Sequence, residues 1–173
     1  MRATEPERAE RPSVKTAGIL LGLGLGGFVD GILLHQILQW HHMVSEVDGL
    51  APNNVADLRL NVVADGLFHI LTWVLVFIGV LVLAEASRSR RSIRPVRRLV
   101  GWMAVGWGVF NLVEGVLNHH ILQIHRVQPA ASNPLVYDLG FLVLGALLVV
   151  GGLAIQRMGS SRPDGTADGS LER

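Results

Sequence analysis

Four long stretches of the chain, roughly Ala17–Trp40, Val62–Ala84, Leu99–Ile124 and Leu135–Ile155, are apolar almost throughout. Each supplies the ~20 mainly apolar residues that a helix needs to cross a bilayer, a run that soluble domains of this size rarely contain. The pattern predicts an all-α integral membrane protein, a bundle of four transmembrane helices. Turn signals fall where that reading needs them. Pro52, Asn53 and Asn54 precede the second helix, and Asn133-Pro134 gives the fourth an N-cap followed by proline at N1. The first stretch follows Arg11 and Lys15 as a secretory signal would, but it is longer than a normal signal core. Its polar motif also returns in the third stretch, so it is expected to stay in the mature protein.

The polar positions inside these stretches repeat. Asp30-Gly31-Ile32-Leu33-Leu34-His35-Gln36-Ile37-Leu38-Gln39-Trp40-His41 aligns without gaps on Glu114-Gly115-Val116-Leu117-Asn118-His119-His120-Ile121-Leu122-Gln123-Ile124-His125. Asp65 and Asp138 correspond more weakly, each followed at the same distance by a glycine, Gly79 and Gly152. The chain therefore reads as two repeated transmembrane hairpins, about 17–84 and 99–155. Copies that cross in the same direction are related by a pseudo-two-fold axis along the membrane normal. That axis pairs Asp30 with Glu114, His35 with His119 and His41 with His125.

At about 100° per residue, Asp30, His35, His41 and His42 fall on one arc of the first helix, with Gly27 and Gly31 among them. Glu114, Asn118, His119 and His125 form the same arc on the third, with Asn111 and Gly115, whereas His120 points elsewhere. In the second helix Asp57, Asn61, Asp65 and His69 recur every four residues as one polar ridge. An ionised side chain deep in the bilayer costs at least ~2.5–3.5 kcal/mol, and no Lys or Arg lies within the four spans to pair with these carboxylates. A proton, a cation or water must offset their burial.

Composition sharpens this picture. The chain has no cysteine and seven histidines, so disulfides and thiolate chemistry are excluded and any metal must be held by nitrogen and oxygen. The N-terminal arm carries Arg2, Arg8, Arg11 and Lys15, and the middle loop carries Arg88, Arg90, Arg91, Arg94, Arg97 and Arg98. The tail carries Arg157, Arg162 and Arg173, while the other two loops hold only Arg59 and Arg126. The positive-inside rule then places both termini and the middle loop in the cytoplasm, an N-in/C-in protein of the cell inner (plasma) membrane. Residues 1–14 read as a disordered cytoplasmic arm, 15–156 as the transmembrane domain and 157–173 as a disordered tail. The lipid bilayer is the expected partner and nucleic acid is not; a homo-oligomer or a membrane-complex partner stays open.

Three chemical readings follow. The first is a transition-metal site in the outer half of the bundle, with His35, His69 and His119 as ligands helped by Asp65 or Glu114. Copper, zinc or iron suits such a set, and copper or iron would make it redox-active. His41, His42 and His125 would form a second metal site or a port, and Asp30, Asn118 and Asp138 a proton relay or the ligands' supports. The second reading is transport or relay of protons or metal ions through the bundle. The third, weaker, is a b-type haem between two axial histidines. No catalytic residue is assigned.

The strings Gly27-Phe28-Val29-Asp30-Gly31, His35-Gln36-Ile37-Leu38-Gln39-Trp40-His41-His42, Asp65-Gly66-Leu67-Phe68-His69 and Tyr137-Asp138 resemble those of a bacterial family of predicted membrane proteins known only as a domain of unknown function. Asn111, Glu114-Gly115 and Asn118-His119 belong to the same likeness, which covers about residues 17–155. The resemblance implies a four-helix membrane protein with a polar interior, and it implies a histidine where Arg126 stands. It supplies no activity.

Overall fold

A computed structural model describes residues 13–88 and 96–158, and helix is the only regular structure among them, with four helices long and apolar enough to span a membrane. The arm up to residue 12, the loop arginines Arg90, Arg91 and Arg94, and the tail from 159 lie outside the described residues. Helix α1 (Val14–Asp30) starts at Ser13, whose Oγ accepts from the Thr16 amide at 3.2 Å. It runs into a π-helical segment, Gly31–Ile37. Helix α2 is Val55–Arg88, and α3 (Val96–Glu114) runs into a second π-helical segment, Gly115–Ile121. Helix α4, Pro134–Arg157, has its proline at the helix start as expected.

Glycines decide how the helices pack. A Cβ on Gly22 would overlap the Met103 carbonyl and one on Gly106 the Ile19 carbonyl, so α1 and α3 meet backbone to backbone. Gly18 packs on Trp102 and Gly26 on Trp107, which makes the pair parallel. On its other side α1 presents Gly24 to Thr72 and Gly31 to His69, antiparallel to α2, while α3 presents Gly108 to Gly145 and Gly101 to Gly152, antiparallel to α4. Because α1 and α3 each carry glycines on two faces, they take the middle. The helices stand in an open row, α2–α1–α3–α4, in which α2 and α4 do not touch. The expected bundle is thus not a closed ring.

Among the described residues, eleven polar or charged ones are buried against only five apolar ones. A soluble domain has the opposite balance. Here lipid takes the aliphatic side chains, and the interior is left to glycine and to the polar set.

Candidate metal centre

The site forms where α1 and α3 end and α2 and α4 begin. Both central helices widen there from α to π geometry, closing i→i+5 bonds such as Leu38 N to Leu33 O (2.8 Å) and Leu122 N to Leu117 O (2.7 Å). On an α-helix residues five apart diverge, but on a π-turn they stack. Asp30 therefore lies below His35, Oδ2 to Nε2 3.3 Å, and Glu114 below His119, Oε1 to Nε2 3.2 Å.

After each π-segment one glutamine takes the left-handed region, Gln39 at φ 50° and Gln123 at φ 51°. A glutamine held there costs on the order of 1 kcal/mol or more, and such strain concentrates at functional sites. The reversal folds the next residues back over the helix end. His41 and His125, which a straight helix would carry about 9 Å further along its axis, instead lie on His35 and His119. The two loops then lock into each other: His41 Nδ1 donates to the Val127 carbonyl at 2.8 Å and His125 Nδ1 to the Met43 carbonyl at 2.9 Å.

Four imidazoles converge as a result. The rings of His41 and His125 stack at 4.6 Å and 7°, with His35 edge-on to His41 at 4.4 Å and His119 edge-on to His125 at 5.0 Å. One ligand atom each from His35, His41 and His125 lies within 4.8 Å of the others, and the same holds for Glu114, His119 and His125. Ligands of a tetrahedral ion with ~2.0–2.1 Å bonds stand ~3.3 Å apart, so a small contraction seats an ion in either group. His125 belongs to both groups and has only Nε2 to give, because Nδ1 is committed to Met43. That nitrogen rests 2.8 Å from Glu114 Oε1. Burial first, then the neighbouring His125 and His35 rings, holds the His41 imidazole down at about 3, so it is the neutral form a metal requires.

Carboxylates brace this cluster from outside. Asp65 accepts from His35 Nδ1 (2.9 Å) and the Met43 amide (2.8 Å) on Oδ1, and from His42 Nδ1 (2.7 Å) and Gln36 Nε2 (3.3 Å) on Oδ2. With four donors satisfied, Asp65 has nothing left for a metal; it fixes His35 with Nε2 pointing inward. Asp138 accepts from the Val127 amide (3.0 Å) and Arg126 (3.2 Å) and stands 3.9 Å from His119 Nδ1. Asn118 reaches Glu114 Oε1 at 3.5 Å.

The expected ligand set is only partly assembled. His119 and Glu114 share one group and His35 falls in the other, the two joined through His125, whereas His69 belongs to neither. Its Nδ1 donates to the carbonyl of Asp65 one turn back at 2.7 Å, and its ring neighbours are Phe28 and Phe68. The α2 ridge faces α1, and Phe68 covers His35 at 5.9 Å, which leaves His69 outside. His41 and His125, expected in a separate outer group, belong to the inner one, while His42 stays outside it on Asp65 and lines a cavity of about 400 Å³ with His41 and Glu46. Asp138 has a cationic partner after all, supplied by Arg126 from the loop rather than from a span.

A family model described as Predicted membrane protein (DUF2243) matches residues 17–159. No curated protein and no solved structure matches the chain.

Proposed function

The chain belongs to this family of predicted membrane proteins, and on that premise we propose that it is a membrane metalloprotein binding one transition-metal ion among His35, His41, His119 and His125, with Glu114 as the oxygen ligand. One observation carries the reading. Buried polar atoms almost always find partners, yet His41 Nε2, His119 Nδ1 and Glu114 Oε2 have no hydrogen-bond partner among the described residues, and His35 Nε2 and His119 Nε2 have only the misaligned carboxylate contacts of Asp30 (3.3 Å) and Glu114 (3.2 Å). They face one another in a single cluster. The outer nitrogens of His35, His41 and His125 are meanwhile tied to Asp65 and to two carbonyls, the support that ligating histidines ordinarily have.

Nitrogen and oxygen donors without thiolate suit zinc, copper(II) or iron. Zinc would give a structural or hydrolytic centre, copper or iron a redox centre. The stacking of His41 on His125 between His35 and His119 leaves no slot for a porphyrin, so haem is the poorer fit. Passage of ions across the bilayer is not favoured either. No ionisable side chain lies between Lys15 and Asp30 in α1 or between Arg98 and Glu114 in α3, and the seam below the site is glycine and aliphatic.

The matching contacts at residue pairs 35 and 119, 41 and 125, 43 and 127, and 39 and 123 support an origin in a duplicated hairpin. The arginine distribution supports cytoplasmic termini, which puts the metal under the outer face of the cell membrane.

Copper(II) serves as a probe because it tops the affinity order for such ligands. Electron paramagnetic resonance of the purified protein loaded with one equivalent should show hyperfine splitting from at least three equatorial nitrogens. An oxygen-only spectrum, or the spectrum of free copper, would rule the site out.

A further inference from the structure

A cavity of about 360 Å³ opens on the side of the row between α1, α3 and α4, within the ~300–1,000 Å³ of small-molecule sites. Its walls are apolar, and four aromatic rings line it: Trp40, Trp107, Tyr137 and Phe141. Trp40 and Tyr137 close the loop end in an edge-on pair at 5.6 Å. Lining residues Leu33 and Val136 also face outward, with 43% and 61% of their surface exposed, so the mouth opens to lipid.

Two polar residues break this lining, Asp30 and Asn111, and each is at least nine-tenths buried. Asn111 Oδ1 has no hydrogen-bond partner among the described residues, and Asp30 Oδ2 has none beyond its poorly aligned 3.3 Å contact with His35 Nε2. Both atoms are acceptors, so a complementary ligand brings a donor.

The other side of the row shows that this space is selective. By the duplicated-hairpin reading on which this comparison rests, Gly26 corresponds to Phe110 and Gly140 to Leu67. On the α2 side Phe110 stands against Phe68 with ring centroids 6.0 Å apart. On the α4 side both positions are glycine, and a Cβ at Gly140 would meet nothing within 4 Å.

We infer that this groove binds a bilayer-dissolved aromatic alcohol of the phenol class, its ring among Trp40, Trp107, Tyr137 and Phe141 and its hydroxyl donating to Asp30 or Asn111. Entry is lateral, from the membrane. The bound hydroxyl would lie one carboxylate away from His35, since Asp30 Oδ2 is 3.3 Å from His35 Nε2. Binding itself needs no metal.

The test uses the full chain in nanodiscs with 4-bromo-3,5-dimethylphenol, whose bromine quenches Trp40 and Trp107 on contact, beside its methyl ether, which has no donor. Saturable quenching by the phenol is expected, with the ether at least about tenfold weaker, the worth of one hydrogen bond to a buried acceptor. Gly140→Leu, which suits a helix and whose Cβ meets nothing within 4 Å, should abolish saturable quenching while leaving thermal stability and metal content intact. Non-saturable quenching, equal binding of the ether, or undiminished binding in Gly140→Leu would overturn the proposal. Metal content, read on the same samples, reports separately on the metal centre.

Discussion

Asp65, three turns into α2, and Asp138, in the second turn of α4, play matching parts: each accepts the amide that follows its loop histidine by two residues, Met43 or Val127. Their second oxygens differ. Asp65 Oδ2 takes His42, a neutral-capable donor at 2.7 Å, while Asp138 Oδ2 takes Arg126, a permanent cation at 3.2 Å. The consequence appears one contact further in: His35 is bonded to Asp65 at 2.9 Å, but His119 stands 3.9 Å from Asp138 with neither ring nitrogen hydrogen-bonded. The two carboxylates thus hold their histidines differently. One ring is fixed by a hydrogen bond to the carboxylate behind it, and the other is held by packing and by its 3.2 Å contact with Glu114.

The comparison can be broken or sharpened by substitution. The largest effect should ignore the difference between halves. Gly22→Leu and Gly106→Leu each force a side chain into the opposing backbone, and both should prevent stable folding of the detergent-purified protein, by size-exclusion profile and thermal melting. If one were tolerated, the central seam would not be shared equally. Next come the carboxylates. Asp65→Asn loses the acceptor that takes four donors and should weaken metal binding by about 10–100-fold, the usual cost of losing such a support. Asp138→Asn should cost less than about tenfold, since no bond to His119 is lost; competition with a chromophoric chelator measures both. Smallest is Arg126→His, which puts an imidazole beside Asp138 where His42 stands beside Asp65. It should bring Asp138 within hydrogen-bond range of His119 and tighten metal binding a few-fold, visible in the same competition and in the His119 imidazole nitrogen shifts by NMR.

The four spans and the polar strings that put His35, His119 and Glu114 at the same end of the helices are legible in the sequence, because apolar run length and matching polar strings are linear signals. A linear reading misses the geometry that joins His41 and His125 to them. A constant 100° advance assumes an α-helix throughout, whereas Gly31–Ile37 and Gly115–Ile121 are π-helical. The clue was the five-residue spacing of Asp30 to His35 and Glu114 to His119, which stacks only on a wider turn. The left-handed Gln39 and Gln123 carry no signal, since glycine and asparagine are the residues expected there. His69 looked equivalent to the other histidines by depth and ridge; only the packing of Phe68 over His35 separates them. The open row was hidden as well, because it depends on glycines facing two ways on α1 and α3.

Elemental analysis of the detergent-purified protein, for wild type, His125→Ala and His69→Ala together, tests the central claim most directly. About one zinc, copper or iron per chain is expected in wild type and in His69→Ala, and essentially none in His125→Ala, whose imidazole belongs to both ligand groups. Wild-type protein without metal after exposure to all three ions, or His125→Ala that keeps its ion while His69→Ala loses it, would contradict the account.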